Sequence, residues 1–280
     1  TQKFKEAESA AREALAQGDR LATLGFDPDG LRFRRAKAMR ALAIALQRQG
    51  RHADSRVATK EQLNDLARLA VDHPDRTDYL QFLCIGRIDS AHSLIGQREA
   101  DAAIEELQAV LPDLDRLPVA DRERLRWPAV FEMAKAYGVV GRWTESEEWA
   151  GQAVEAYSDR RRQNPEFQEY RGFLTQSHWH RAIARDQLGR HADAATDWGA
   201  AADLADYPMD KAFYLAHRGD SLARGGDAEN AATEFAAAIH QAESVLKASD
   251  LTGITYYDAA AVYALAAGGL TDPGLSLIHI

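Results

Sequence analysis

The sequence predicts an all-α protein in which antiparallel helix pairs stack in series as an α-solenoid. Three observations lead to this fold class: a helix-favouring composition, a turn pattern that recurs along the chain, and a fixed order of small and large residues around each turn. Of the 280 residues, 46% are hydrophobic but only 8% are aromatic, and alanine is the commonest apolar residue. Chains rich in Ala, Leu, Arg and Glu favour closely packed helices over sheets.

The recurring turn is a glycine that follows an apolar helix end. It occurs at Gly50, Gly96, Gly141, Gly189 and Gly226, so that the intervals are 46, 45, 48 and 37 residues. Glycine adopts the left-handed backbone conformation that ends many helices. Each site therefore predicts one helix, a turn, and a second helix that runs back against the first.

The second helix of each pair has a small–large–small pattern at five, nine and twelve residues after the glycine, positions that share one helix face. They hold Ala231, Phe235 and Ala238 in one copy, and Ala194, Trp198 and Ala201 in another. The copy after Gly141 has small residues at all three positions, and the copies after Gly50 and Gly96 fit poorly. This pattern lets two helices approach closely while one large side chain fills the gap.

The first helix of each pair has a small residue seven positions before the glycine in four of five copies. These positions hold Ala43, Asp89, Ala134, Ala182 and Gly219. Asp89 is the exception, and it belongs to the copy that also fits poorly after the turn.

The segments Gly226–Phe235 and Leu188–Ala194 resemble tetratricopeptide repeats, and the resemblance extends over about residues 31–265. It implies a curved superhelix of helix pairs that holds a protein or peptide in a concave groove. The usual period of the family is 34 residues, and the excess length falls before Pro74, Pro118 and Pro165. We expect the second helices to run long there until proline ends them.

We expect three segments. Residues 1–30 form a partial N-terminal helix and linker, residues 31–268 form about five helix pairs with a truncated sixth, and residues 269–280 form a non-native or disordered tail. The chain begins with Thr1 rather than methionine, and Leu275 to Ile280 resemble the translated read-through of sequencing-adapter DNA. We therefore expect both native termini to lie outside the sequence.

A more specific resemblance involves the segments 72–79, 164–171 and 256–266. Together they resemble the C-terminal repeat tails of large bacterial serine/threonine protein kinases. The resemblance implies that the tail binds partners and that any catalytic domain lies upstream. The catalytic residues of the kinases match no position here, because the sequence has no Gly-rich phosphate loop with its lysine and neither a His-Arg-Asp nor an Asp-Phe-Gly motif.

The tetratricopeptide resemblance implies which side chains face the groove. The predicted groove residues are Lys37, Arg40, Ile44, Ser90, Phe131, Lys135, Trp179, Ile183 and Asp220. The groove positions lack the asparagine of members that clamp a terminal carboxylate, which argues against a chaperone tail as the ligand. Trp179 could instead be a buried core residue, and the basic cluster from Arg32 to Arg40 could be either a solvated helix face or a site for an acidic peptide.

Charge and composition exclude several classes of function. The net charge of −9 and pI of about 5.5 argue against nucleic acid as the main partner. No apolar run is long enough to insert in a membrane, and we expect a cytoplasmic protein. Cys84 is expected in the core. We expect no cofactor and no metal site, because His178 and His180 lie on opposite sides of a predicted helix.

The sequence therefore favours a non-catalytic scaffold for protein–protein interaction. One alternative is the partner-binding fragment of a kinase whose catalytic domain is missing from this chain. Another is a purely structural or sensor array of a regulator, in which changing Trp179 would alter stability but not binding. The sequence does not predict the oligomeric state.

Overall fold

The computed structural model describes residues 2–247 and 253–268, and helices joined by short turns make up these ranges. The helices are α1 (Gln2–Thr23), α2 (Pro28–Arg48), α3 (His52–Asp72), α4 (Thr77–Gly96), α5 (Ala100–Leu114), α6 (Val119–Val139), α7 (Trp143–Gln163), α8 (Gln168–Gln187), α9 (His191–Leu204), α10 (Pro208–Arg224), α11 (Ala228–Leu246) and α12 (Gly253–Gly268). Consecutive helices pack on one another from α1 to α5 and from α7 to α12. The predicted all-α class and serial helix packing are confirmed, and the superhelical curvature stays a prediction. The predicted tail, residues 269–280, lies outside the described residues.

The chain divides into two compact units. Unit 1 is Thr1–Glu132 and unit 2 is Met133–Ile280. In unit 1, α2 packs on α3 and α4 packs on α5, with α1 against α2. In unit 2, α8 packs on α7 and α9, and α10 packs on α9, α11 and α12.

Three helices of the first half have counterparts of equal length 91 residues later. The shift relates α2 to α6 (Pro28 to Val119, Arg48 to Val139), and it also relates α3 to α7 and α4 to α8. Both α3 and α7 have 21 residues and end two residues before a proline, at Asp72 and Gln163. The prediction that the second helix runs long before a proline is therefore confirmed for α3 and α7. It is wrong before Pro118, because α5 has only 15 residues and ends at Leu114.

The left-handed turns fall at four of the five predicted glycines. Gly50, Gly141, Gly189 and Gly226 have φ between 74° and 86°. After Gly189 and Gly226 the small–large–small positions are all buried, and Trp198 is the largest fully buried side chain among the described residues. The predicted packing face of the second helix is therefore confirmed in these copies.

The fifth predicted turn, at Gly96, is wrong by two residues. Gly96 is the last residue of α4, and the left-handed residue is Arg98, with φ of 64°. Counted from Arg98, the positions five, nine and twelve residues later are Ala103, Leu107 and Val110, each 0% exposed. Seven positions before Arg98 lies Ala91, also fully buried, so the apparent exception at Asp89 disappears.

A serine hydroxyl connects the two helices of a pair in two equivalent places. Ser55 Oγ donates to the carbonyl oxygen of Ala43 at 2.8 Å, and Ser146 Oγ donates to that of Ala134 at 2.9 Å. In both cases the residue five after the turn contacts the residue seven before it. The bond satisfies a buried hydroxyl between the two helices of the pair.

Candidate functional site

The first helices share a face that we call the open face, which consists of the residues 2, 6, 9, 13 and 16 positions before the left-handed residue, a spacing that lines up on one side of a helix. In α2 these are Arg34, Lys37, Ala41, Ile44 and Arg48, and all five are exposed. In α4, α8 and α10 every open-face residue is exposed or half-buried. In α6 this face is partly covered, because Glu132 and Leu125 are buried.

Four of the predicted groove residues lie on open faces, two in unit 1 and two in unit 2. Lys37 and Ile44 lie on that of α2 in unit 1, and Ile44 is 40% exposed. Ile183 lies on that of α8 and Asp220 on that of α10, both in unit 2 and both half-buried. Burial raises the pKa of the Asp220 carboxyl above its ordinary value, and Arg224 at 3.7 Å opposes this shift.

Phe131 and Lys135 lie on α6, on either side of the boundary between the two units. Phe131 is only 3% exposed, whereas Lys135 is half-buried at the position equivalent to Ile44. The structure therefore leaves Lys135 accessible and places Phe131 in the interior.

Ser90 lies away from the open face of α4. It lines a cavity of about 670 Å³ together with Arg56 and Lys60 of α3 and Glu105 of α5. Because the turn is at Arg98, the position equivalent to Ile44 is His92, whose side chain is 60% exposed and whose Nδ1 lies 3.0 Å from Glu132 Oε1. Sequence reasoning missed His92 because it counted from Gly96.

Unit 2 carries an apolar surface that we call the aromatic shelf, formed by Trp179 and Ile183 of α8 and Phe213 and His217 of α10. All four side chains are half-buried. The ring centroids of Trp179 and Phe213 are 6.0 Å apart, and both side chains, with Ile183, pack against a core cluster that contains Trp198. Trp179 thus packs against the core and still has part of its side chain accessible at the surface.

Sequence reasoning missed Phe213 and His217, which occupy two further open-face positions. The imidazole of His217 stacks on Trp198 with centroids 4.6 Å apart, and its Nε2 atom is buried without a hydrogen-bond partner among the described residues. This burial lowers the pKa of His217 to about 4, so that the ring is neutral at neutral pH.

Beneath the shelf, Asp186 of α8 connects three helices. Its Oδ2 accepts from Trp198 Nε1 of α9 at 3.0 Å and from Ser221 Oγ of α10 at 2.7 Å. Its Oδ1 lies 3.0 Å from His191 Nδ1. A buried carboxylate with several donors is well satisfied, and here it fixes the ring that supports the shelf.

A second buried carboxylate, Asp197 of α9, is 1% exposed and binds side chains of α8. His178 Nδ1 lies 2.7 Å from Oδ1, and Arg181 and Arg185 donate at 2.6 to 2.9 Å. Burial raises the pKa of Asp197, but the hydrogen bonds from His178 and Arg181 outweigh it and the pKa is lowered overall. His178, considered above as a metal ligand, therefore pairs with the carboxylate of Asp197.

In unit 1, the open face of α2 lies beside α4 side chains. Lys37 Nζ lies 4.2 Å from the ring centroid of Phe33 and 4.6 Å from that of Phe82. Arg40, which precedes the turn by ten residues, donates to Asp89 of α4 at 2.6 Å.

Within the described ranges, no group of three or more His, Cys, Asp or Glu side chains could hold a metal ion. No helix in those ranges is long and apolar enough to span a bilayer. The Cys84 thiol is fully buried, and burial raises its pKa to about 12, which keeps it protonated and unreactive.

Comparison with known proteins identifies solved structures with a similar fold. No model of a protein family matches the sequence, and no curated protein matches it. Among solved structures, BtubC (BKLC) from P. vanneervenii superposes with a TM-score of 0.66 at 14% identity, covering 89% of this chain and 94% of that one. At this identity the match shows a shared fold alone.

Two further solved structures that match are tetratricopeptide repeat proteins. The one from Thermus thermophilus has a TM-score of 0.40 at 17% identity and covers 81% of this chain and 98% of its own. The one from Parabacteroides merdae has a TM-score of 0.34 at 13% identity and covers 94% of this chain and all of its own.

Proposed function

We propose that this chain is a non-catalytic scaffold that binds a protein or peptide on the open faces of its first helices. The observation that carries the proposal is the aromatic shelf of unit 2. Its large apolar side chains are held in place by the core beneath them and still keep part of their surface accessible. Rigid aromatic anchors of this kind contribute most of the affinity in protein interfaces.

We propose a set of binding residues that includes the predicted groove residues with accessible side chains together with His92, Phe213 and His217. The set on the open faces is Lys37, Ile44, His92, Lys135, Ile183, Phe213, His217 and Asp220. Beside these faces we include Trp179 of the aromatic shelf and Arg40, which is paired with Asp89. We propose that Phe131 supports the surface from within and that Ser90 belongs to the cavity between α3 and α5.

Ile183→Glu tests the shelf, and Tyr207→Glu is its matched control. Both variants replace a large side chain of unit 2 by one that ends in a carboxylate. They differ in place, because Tyr207 is 70% exposed and lies in the turn before α10, outside the open faces. The measurement is capture of proteins from a cell lysate by immobilised wild type and by each variant. Circular dichroism and thermal unfolding establish that all three are folded.

The proposal expects a specific protein to be retained by wild type and by Tyr207→Glu and lost by Ile183→Glu. Equal retention by both folded variants would contradict binding on the shelf. Capture of nothing by folded wild type would also count against the scaffold function.

The packing of Trp179 against the core favours one alternative, a purely structural or sensor array. Under this alternative Trp179→Ala lowers the melting temperature and leaves partner capture unchanged at temperatures where the variant is folded. Under the scaffold proposal the same variant loses its partner while it remains folded.

The resemblance to kinase repeat tails concerns the protein from which the chain derives. Sequencing the gene upstream of Thr1 tests it. An upstream reading frame with a Gly-rich loop, its lysine and a catalytic aspartate would support a kinase. A start codon directly before Thr1 would contradict it.

A further inference from the structure

We infer that the open face of α2 binds an acidic peptide segment that carries an aliphatic side chain between its carboxylates. The inference rests on the proposed scaffold function and assigns the chemistry of one partner to unit 1. It is independent of the aromatic shelf, which lies in unit 2.

The six cationic side chains of α2 fall into two groups. Three of them form ion pairs: Arg32 with Asp29, Arg35 with Asp65 and Glu61, and Arg40 with Asp89. The other three have no ion pair with any residue in 2–247 or 253–268, and these are Arg34, Lys37 and Arg48.

The three cations without ion pairs all lie on the open face, and none of the paired cations does. The carboxylates that form ion pairs with α2 all pair with its cations outside the open face. The chain has a net charge of −9, yet this face carries three positive charges that no carboxylate in the described part of the chain balances. Such a stripe is complementary to an acidic ligand.

Lys37 is held in place without being neutralised. Its ammonium group lies over the rings of Phe33 and Phe82, at 4.2 and 4.6 Å from their centroids. Ring faces attract a cation but leave its full charge available to a carboxylate. Lys37 is therefore positioned for an ion pair before any ligand arrives.

The centre of the stripe is aliphatic. Ala41 and Ile44 lie between Lys37 and Arg48, and Ile44 is 40% exposed. From Arg34 to Arg48 the helix rises roughly 21 Å. This distance matches about six or seven residues of extended peptide, with carboxylates toward the ends and an aliphatic side chain at the centre.

The same features argue against nucleic acid at this face. A phosphate backbone presents charge at every nucleotide and binds best to clustered cations. Here the cations are separated by an apolar centre that would have no partner in a sugar-phosphate backbone. The test below therefore includes single-stranded DNA as a competitor.

The test is fluorescence anisotropy with a labelled peptide, Glu-Asp-Glu-Leu-Ile-Glu-Asp-Glu, and the full chain. Three competitors define the chemistry: the same peptide with lysine for every acid, the same peptide with glycine for Leu and Ile, and oligothymidylate. The test variant is Lys37→Glu with Arg48→Glu. The control is Lys60→Glu with Arg68→Glu on α3, which changes the net charge equally at exposed positions.

We expect wild type and control to bind the acidic peptide, and the test variant to bind it at least tenfold more weakly while unfolding at a similar temperature. We expect the glycine peptide to compete less well, the lysine peptide not to compete, and added salt to weaken binding. Equal binding by the two double variants would overturn the inference, as would stronger binding of oligothymidylate. If no acidic peptide binds while Ile183→Glu still abolishes partner capture, this inference fails and the scaffold function stands.

Discussion

At the scale of single residues, Asp186 is the polar group on which the packing of three helices depends. Trp198 fills the gap between helices, but its indole nitrogen must be hydrogen-bonded once it is buried, and Asp186 accepts that bond. The same oxygen accepts from the hydroxyl of Ser221, which also lies 3.1 Å from the carbonyl oxygen of His217. The carboxylate of Asp186 is thus the acceptor for the buried indole N–H of Trp198.

Asp186→Ala should lower the free energy of unfolding by about 1–3 kcal/mol, because the buried indole N–H of Trp198 would be left unpaired. Asp186→Asn, which keeps an oxygen acceptor, should cost less. Asp193→Ala is the control, since its ion pair with Arg190 is exposed and contributes at most about 1 kcal/mol. Denaturant titration measures all three, and an equal loss for Asp186→Ala and Asp193→Ala would disprove the role of Asp186.

His217 should make stability depend on pH. Its pKa is lowered to about 4 in the folded protein from an ordinary value of 6.5, so the unfolded chain binds a proton in this window that the folded protein does not. The free energy of unfolding should therefore fall as the pH is lowered from 6.5 toward 4, by at most about 1.4 kcal/mol per pH unit. His217→Phe keeps a ring against Trp198 and should flatten this slope. An unchanged slope in denaturant titrations at several pH values would refute the assignment.

Gly219 is required by close packing. A Cβ atom there would lie 2.8 Å from two ring carbons of Phe235. Gly219→Ala should destabilise unit 2 by about 1–3 kcal/mol through overpacking, despite the better helix propensity of alanine. Gly172→Ala in α8, which has no atom within 4 Å of its Cβ position, should be neutral or stabilising by up to about 1 kcal/mol. Thermal unfolding by circular dichroism distinguishes them, and equal melting temperatures would contradict the packing argument.

At the scale of the helix pair, the residue with left-handed backbone sets which side chains meet. Gly189 has φ of 75° and open space around its Cβ position, so Gly189→Ala should cost roughly 1–2 kcal/mol from backbone strain alone. Gly96 is helical and equally unobstructed, so Gly96→Ala should be tolerated. If Gly96→Ala were as damaging as Gly189→Ala in thermal unfolding, the turn would not lie at Arg98.

The sequence predicted the pairing of helices wherever a glycine marks the left-handed position, because glycine is the residue that adopts it at least cost. It failed at Arg98, since an arginine in this conformation leaves no compositional signal. The error moved every position of α4 by two residues and substituted Ser90 for His92 in the predicted groove.

The candidate site was predictable only in part for a different reason. Spacing within a helix identifies a face, and on that face Ile44 is exposed and Ile183 is half-buried. It does not determine how deeply a neighbouring helix covers that face. Phe131 is buried and Phe213 is half-exposed, and this difference depends on contacts between helices that are distant in sequence.

At the scale of the whole molecule, Cys84 is the only cysteine, and its burial in unit 1 makes it a reporter of local opening there. Gly86→Ala, whose Cβ would lie 2.6 Å from Gln62 Nε2, should accelerate labelling of Cys84 by a thiol reagent. Gly219→Ala in unit 2 should change this rate by less than roughly twofold, because repeat arrays transmit stability mainly between neighbours. Equal acceleration by both variants would mean that the chain opens as one cooperative body.

The 91-residue shift that relates α2, α3 and α4 to α6, α7 and α8 bears on how the chain arose. Equal helix lengths, equivalent prolines and equivalent serine bonds at Ser55 and Ser146 are what duplication of a multi-helix segment would leave. The two copies differ at accessible positions: Lys37 and Ile44 of α2 correspond to Pro128 and Lys135 of α6. The same succession of helices therefore presents two different surfaces, and a ligand that binds the α2 copy is not expected to bind the α6 copy.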